Sequence, residues 1–160
     1  MKLFFRALAS FLILPGTVAG VFPVLILWGN MRIGPHAALG LFVAAVGLVL
    51  LLWCVRDFYV SGKGTLAPWD PPKGLVVVGL YRYVRNPMYV GVLTLLMGWA
   101  ITFGSKGIGV YLVAVALVFH VRVLTYEEPV LSRMFGQEWQ NYRDSVPRWL
   151  PFRRLFRSRG

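Results

Sequence analysis

Four long apolar stretches, separated by polar links, restrict what this chain can fold into more than any other feature. They cover residues 7–28, 37–55, 87–103 and 108–124. A helix that crosses a bilayer needs about 17–25 predominantly apolar residues, and each stretch qualifies. One water-soluble core cannot absorb them all. Of 160 residues, 58% are hydrophobic and 14% charged, whereas soluble domains sit near about 45–50% apolar and 25% charged. The expected fold is therefore all-α and integral to a membrane, with about four transmembrane helices. A C-terminal amphipathic helix at the interface completes a single domain, 1–160. Within it, 1–57 makes a first helical hairpin, 58–86 a cytoplasmic loop, and 87–160 a second hairpin with the terminal helix.

The formal net charge of +11 would suit nucleic acid if it lay in a stripe on a soluble surface. Here the basic residues punctuate the apolar runs, so the expected partner is the lipid bilayer and no nucleic acid. With four spans, every Lys and Arg except Arg32 and Lys106 falls on one side. The excess of cations on cytoplasmic loops places both termini and the middle loop in the cytoplasm. The expectation is a multi-pass protein of a bacterial inner membrane, monomeric because nothing demands a partner copy. Lys2 and Arg6 resemble the start of a signal peptide, but the apolar run that follows exceeds the about 7–15 residues of a signal core. It reads as a retained first span.

Pro15 and Pro23 predict a kink or local irregularity in that span. Gly40, Ala44 and Gly47 offer the second span a small-residue face for close helix contact. The short links 29–36 and 104–107 predict that span one pairs with two, and three with four. The loop 56–86 is long enough to be functional. Its stretch from Gly64 to Pro72 cannot be regular, while Trp69 and the apolar run 75–78 suggest an ordered piece against the membrane interface. Leu131, Phe135, Trp139 and Tyr142 recur at helical spacing and Pro147 ends the pattern. This helix lies on the interface or packs under the bundle. The basic end, Arg153 to Arg159, reads as a lipid-touching tail. Cys54, the single cysteine, permits no internal disulfide, and no metal-ligand pattern is present.

Two clusters could carry chemistry. The first is the entry to the third span, Tyr81-Arg82-Tyr83-Val84-Arg85-Asn86-Pro87-Met88-Tyr89-Val90-Gly91. Asn is a favoured N-cap and Pro a favoured first helical residue. The free backbone N–H groups of such an end, beside Arg82 and Arg85, suit an anion. Gly91 would let a ligand approach the backbone. The plainer alternative is a capped helix whose arginines reach for headgroups. The second cluster is Glu127-Glu128, with His120 on nearly the same helical face. Adjacent carboxylates at a membrane boundary are costly and attract a cation or share a proton. Equally, they could form structural ion pairs with Arg82, Arg85 or Arg122, and His120 could be a packing residue. One cluster favours an anion, the other a cation, and aromatics lie between. S-adenosylmethionine carries both charges and a sulfonium that carboxylates and aromatic faces stabilise.

These residues resemble the isoprenylcysteine carboxyl methyltransferase and phospholipid methyltransferase group of membrane enzymes. The resemblance rests on Gly79, Tyr81, Arg85, Pro87, Tyr89 and Gly91, and then on Glu127-Glu128, Leu131, Phe135-Gly136, Tyr142 and Val146-Pro147-Arg148. It covers about half the chain. The family's usual His is Asn86 here, and one Tyr is Trp139. Asn86 can cap a helix and donate a hydrogen bond but cannot move a proton near neutral pH, which favours a positioning role.

The resemblance implies an S-adenosylmethionine pocket facing the cytoplasm, with Arg85, Asn86, Tyr89, Gly91, His120, Glu127 and Glu128 around the cofactor. It also implies a lipid-like or small acceptor (carboxylate, thiol or amine) entering from the bilayer. Arg148 or Arg82 would hold an anionic acceptor, and Glu128 would serve as base for a neutral one. The competing classes are a non-catalytic membrane scaffold and a small cation exporter.

Overall fold

Glycines set the closest helix contact in the molecule. The computed structural model describes residues 15–29, 31–61 and 74–150. Within them, helix α1 (Phe22–Leu27) follows a π-helical turn at Thr17–Val21. Helix α2 runs Ala37–Ser61, α3 Pro87–Phe103 and α4 Lys106–Arg122. A second π-helical turn, Val123–Glu127, joins α4 to α5, Glu128–Ser145. Every regular element among the described residues is helical. The residues expected to form the start of the first span, with Lys2 and Arg6, lie outside the described ones. So do the 64–72 stretch with Trp69 and the Arg153–Arg159 tail.

Helices α2 and α3 pack antiparallel along a ladder of small residues. A side chain on Gly40 would meet Thr102, one on Gly98 would meet the backbone of Ala44, and one on Gly47 would meet the backbone of Leu95. Such clashes fall on main chain, which cannot swing aside, so glycine is required for this spacing. The face expected on α2 is thus in use, but its partner is not span one. Once α3 occupies that face, α1 goes elsewhere. Its π turn leans on α3 and its helix on α4. The Tyr111 hydroxyl donates to the Val18 carbonyl at 3.1 Å. Ala19, Leu51, Val92, Leu96 and Val115 form the core where these helices meet.

The pairing of α3 with α4 is as expected. Gly104 ends α3 in the left-handed region (φ 56), and the Ser105 hydroxyl accepts the Ile108 N–H to start α4, a combination that reverses the chain within two residues.

Two helical runs are long and apolar enough to cross a bilayer: Ala37–Asp57 and Lys106–Ser145. Only 22% and 11% of their most apolar stretches are buried within the protein. A soluble core helix would be mostly covered, and such exposed apolar faces give the molecule the character of a membrane protein. Thr17–Leu27 and Pro87–Phe103 are shorter apolar helices at the positions of the first and third expected spans.

The apolar face of α5 turns inward. Trp139, Tyr142 and Val146 bury against Leu75, with Leu131 and Phe135 alongside. Val76 packs with Cys54 and Tyr81. The 75–78 run is therefore ordered, with Leu75 against the terminal helix and Val76 against Cys54 of α2. Gly136, with φ 49 and ψ −118, breaks α5 into two helical halves, a conformation that a side chain would strain.

Candidate active site

The site forms where the start of α3, the turn from α4 into α5 and the segment after α5 meet. Pro87 opens α3 as expected, but Asn86 does not cap it with its side chain. The amide donates instead to the Arg148 carbonyl at 3.2 Å, and the Arg85 backbone N–H donates to the Pro147 carbonyl at 2.9 Å. Val146 is extended, as a residue before proline prefers. The segment 146–149 is thereby strapped across the mouth of α3.

Glu128 lies at the centre. Its Oε1 accepts from Arg85 Nη1 at 2.7 Å and from Arg148 Nε at 2.7 Å, while Oε2 accepts from Arg148 Nη2 at 2.9 Å. The Arg148 contact is a two-pronged guanidinium–carboxylate pair, the strongest geometry such groups form. Arg85 and Glu128 are only 10% and 14% exposed. The Arg85 guanidinium sits 5.8 Å from the Trp139 ring centre, a cation–π contact. Burial lowers the pKa of Arg85 and the Glu128 charge opposes that shift, while the hydrogen bond to Glu128 raises Arg148. Arg85 Nε is buried and makes no hydrogen bond among the described residues.

Glu127 is the centre of a second group. Its Oε1 accepts from the Tyr89 hydroxyl and from Arg122 Nε at 2.9 Å. Tyr89 stacks on Phe119, with ring centres 4.2 Å apart. Trp149 comes from the strap, with its ring 6.4 Å from Tyr89, and its N–H donates to His120 Nδ1 at 3.2 Å. An accepting Nδ1 leaves the imidazole proton on Nε2.

Seven of the nine residues singled out from the sequence converge here: Arg85, Asn86, Tyr89, His120, Glu127, Glu128 and Arg148. Two do not. Arg82 is exposed and bonds the Val77 carbonyl at 3.4 Å; it turns away because Tyr81, its neighbour in the tight turn, takes the buried side. Gly91 is not an open approach to the backbone. It is buried, and the Leu51 side chain of α2 fills the space where its own would stand. The expected structural ion pairs exist with Arg85 and Arg122 and extend to Arg148. Three contributors were not anticipated: Trp149, Phe119 and the π turn that aims both glutamates. The turn has a legible cause. Pro129 lacks an N–H for the Thr125 carbonyl, and the helix rearranges so that the Glu128 N–H reaches back to Val123.

Residues 35–138 match the sequence model of the phospholipid methyltransferase family. The chain belongs to that family. The match runs from the entry of α2 through both glutamates and stops short of the strap that carries Arg148. Among curated relatives, this phospholipid methyltransferase family member is 33% identical over 84 residues to protein-S-isoprenylcysteine O-methyltransferase A of Arabidopsis thaliana, covering 52% of this chain and 43% of the relative. It is 34% identical over 77 residues to protein-S-isoprenylcysteine O-methyltransferase of Schizosaccharomyces pombe, covering 48% and 33%. It is 29% identical over 119 residues to a probable protein-S-isoprenylcysteine O-methyltransferase of Oryza sativa subsp. indica, covering 69% and 62%. The chain thus spans between a third and about three fifths of the length of these relatives. No solved structure matches it.

Proposed function

We propose that the protein is a membrane-embedded, S-adenosylmethionine-dependent methyltransferase acting at the cytoplasmic face on a lipid-like or small acceptor. The observation that carries this reading is the convergence of Arg85, Tyr89, Glu127, Glu128 and Arg148 on one helix mouth in a chain of this family. The donor set fits the cofactor. Arg85 Nε is a buried donor with no hydrogen-bond partner among the described residues, and such an atom is costly unless a ligand acceptor meets it. Two guanidinium groups share the Glu128 charge, so that group keeps a net positive charge for a carboxylate. Glu127, whose charge the part-exposed Arg122 shares, offers carboxylate oxygens to an ammonium, and the Tyr89, Phe119 and Trp149 rings offer faces to a sulfonium.

When bound, the cofactor supplies an electrophilic methyl group on sulfur. The chain's own residues do the rest. Glu128 holds Arg85 and Arg148 at fixed separation, and the 146–149 strap keeps both against α3. Asn86 braces the strap and does not need to move a proton. A carboxylate or thiolate acceptor needs only alignment and exclusion of water. Arg148 is the cation for an anionic acceptor, and Arg82 stands too far out to share the task. For a neutral acceptor a carboxylate base is needed, with Glu128 the original candidate; its three hydrogen bonds from arginine favour a clasping role instead. On the outer side of α4 and its π turn lies an exposed apolar face formed by Leu117, Val118, Val121, Arg122, Thr125 and Tyr126. It ends at Arg122, which touches Glu127, and gives an acceptor with an apolar tail a way in from the bilayer. We assign all four apolar helices to the membrane of a bacterial cell, with both termini cytoplasmic.

Calorimetry with S-adenosylhomocysteine on the purified protein in lipid discs tests the reading. A methyltransferase binds it, and a scaffold or cation exporter does not. Membranes incubated with methyl-labelled S-adenosylmethionine should then yield a labelled lipid or small molecule that names the acceptor. No binding and no labelled product together would sink the assignment.

A further inference from the structure

Asp57 is one of six acids in the chain, and it is buried near the end of α2 with 7% of its surface exposed. An ionised carboxylate is costly to bury unless hydrogen-bond donors meet it. Its Oδ2 accepts the Leu80 N–H at 3.3 Å. Gly79, just before, adopts φ +51, and a side-chain carbon there would fall 1.9 Å from the same Oδ2. The carboxylate is therefore seated directly on the backbone of the turn, with the Leu80 N–H as its donor and the left-handed, side-chain-free Gly79 leaving room for it. The turn is tight. The Tyr81 N–H donates to Val78, and the Tyr83 and Val84 N–H groups to Leu80, all at 3.0–3.2 Å. Its other side is pinned as well, because the Tyr142 hydroxyl donates to the Tyr81 carbonyl at 2.7 Å. Burial keeps the Tyr81 phenol neutral, its pKa well above 10.0. Directly after this turn come Arg85 and Asn86, both committed to the strap and to Glu128.

We propose that Asp57 is a positioning residue for the site: by anchoring the Gly79–Arg82 turn to α2, it sets where Arg85 and Asn86 meet Glu128 and Arg148. Asp57 holds the turn through the Leu80 N–H and acts through Arg85, which follows it. Gly79 is its counterpart, since only a residue without a side chain allows the carboxylate so close. The inference rests on the methyltransferase reading for its readout, and the experiment separates the two. S-adenosylhomocysteine affinity is measured by calorimetry in lipid discs, below the melting temperature of each variant. Asp57→Ala and Gly79→Ala should weaken binding about tenfold, as small misplacements of a binding group do, with the cofactor KM rising more than kcat falls. Asp57→Asn keeps the shape and an acceptor for the Leu80 N–H, and it should restore most of the affinity that Asp57→Ala loses. Combining Asp57→Ala with Gly79→Ala should be no worse than Gly79→Ala alone, because the colliding carboxylate is gone. If Asp57→Ala does not fold, Gly79→Ala still gives the reading. Unchanged affinity in folded Asp57→Ala or Gly79→Ala, with only the melting temperature lowered, would make Asp57 a stabilising residue and overturn the proposal. So would additive losses in the double variant. Failure of the unaltered protein to bind S-adenosylhomocysteine would instead overturn the methyltransferase reading.

Discussion

Glu128 and Glu127 are neighbours in sequence with different physical situations, and that difference gives two contrasting predictions. Glu128 faces two guanidinium groups, and the Arg85 side of the pair is nine-tenths buried. Glu128→Gln keeps the volume but leaves Arg85 without its counter-charge, at a cost of about 3 kcal/mol or more. The measurement is the denaturant midpoint, which should fall clearly. Arg122 pairs with Glu127 from a side chain 40% exposed. Solvent screens that pair, so Arg122→Gln should cost no more than about 1 kcal/mol. Equal losses in the two variants would contradict this account of burial. Tyr89→Phe removes a hydroxyl that donates to Glu127 and should lower S-adenosylhomocysteine affinity about tenfold, with a stability cost of about 1 kcal/mol; an unchanged affinity would remove Tyr89 from the site. At this scale the residue types were legible: acids, arginines and a tyrosine at a helix mouth predict mutual attraction. Arg85 and Arg122 were legible as their partners too; Arg148 was not, because it reaches Glu128 only through the strap, and a strap leaves no periodic trace in sequence. Trp149 was missed for the same reason.

Helices add information that single residues lack, and proline shows it twice. The π turns Thr17–Val21 and Val123–Glu127 stand in the same place relative to a proline two residues on, Pro23 and Pro129. In each, the residue just before the proline donates its N–H five residues back, since the proline cannot donate four back. Irregularity near Pro23 was legible. Near Pro129 it was hidden, because a polar pair followed by proline reads equally well as the gap between two helices. Small-residue spacing was legible on α2, but spacing alone names no partner; Gly91 and Gly98 on α3 complete the ladder only once the helices are laid side by side. That ladder yields a prediction. Gly98→Ala places a carbon 2.5 Å from the Ala44 nitrogen and must push α2 and α3 apart, costing about 1–3 kcal/mol. Gly109→Ala on α4 meets nothing within 4 Å and should gain about 0.5–1 kcal/mol from helix propensity. Thermal unfolding in detergent reads both, and a neutral Gly98→Ala would mean that the two helices are not held at glycine distance.

For the molecule as a whole, the question is how it lies in the bilayer. Charge distribution along the sequence predicts the answer, and the length of one helix makes it testable. From Lys106 the chain stays helical through the π turn as far as the break at Gly136. At about 1.5 Å per residue, its α4 part with the π turn is about the 30 Å of a hydrocarbon core. If α4 crosses, exposed Lys106 at its start and exposed Arg143 near the end of α5 lie on opposite sides of the membrane. Cys54 is buried and can be replaced by serine to clear the background. In that protein, a cysteine replacing Lys106 should react with a membrane-impermeant maleimide on intact cells. A cysteine replacing Arg143 should react only after the membrane is opened. The reasoning is electrostatic: most of the chain's cations flank the Arg143 side, and translocating them opposes the cytoplasmic preference of Lys and Arg. Labelling of both positions from one side would mean that α4 does not cross, and with it would go the cytoplasmic placement of the glutamate–arginine cluster that the proposed chemistry requires.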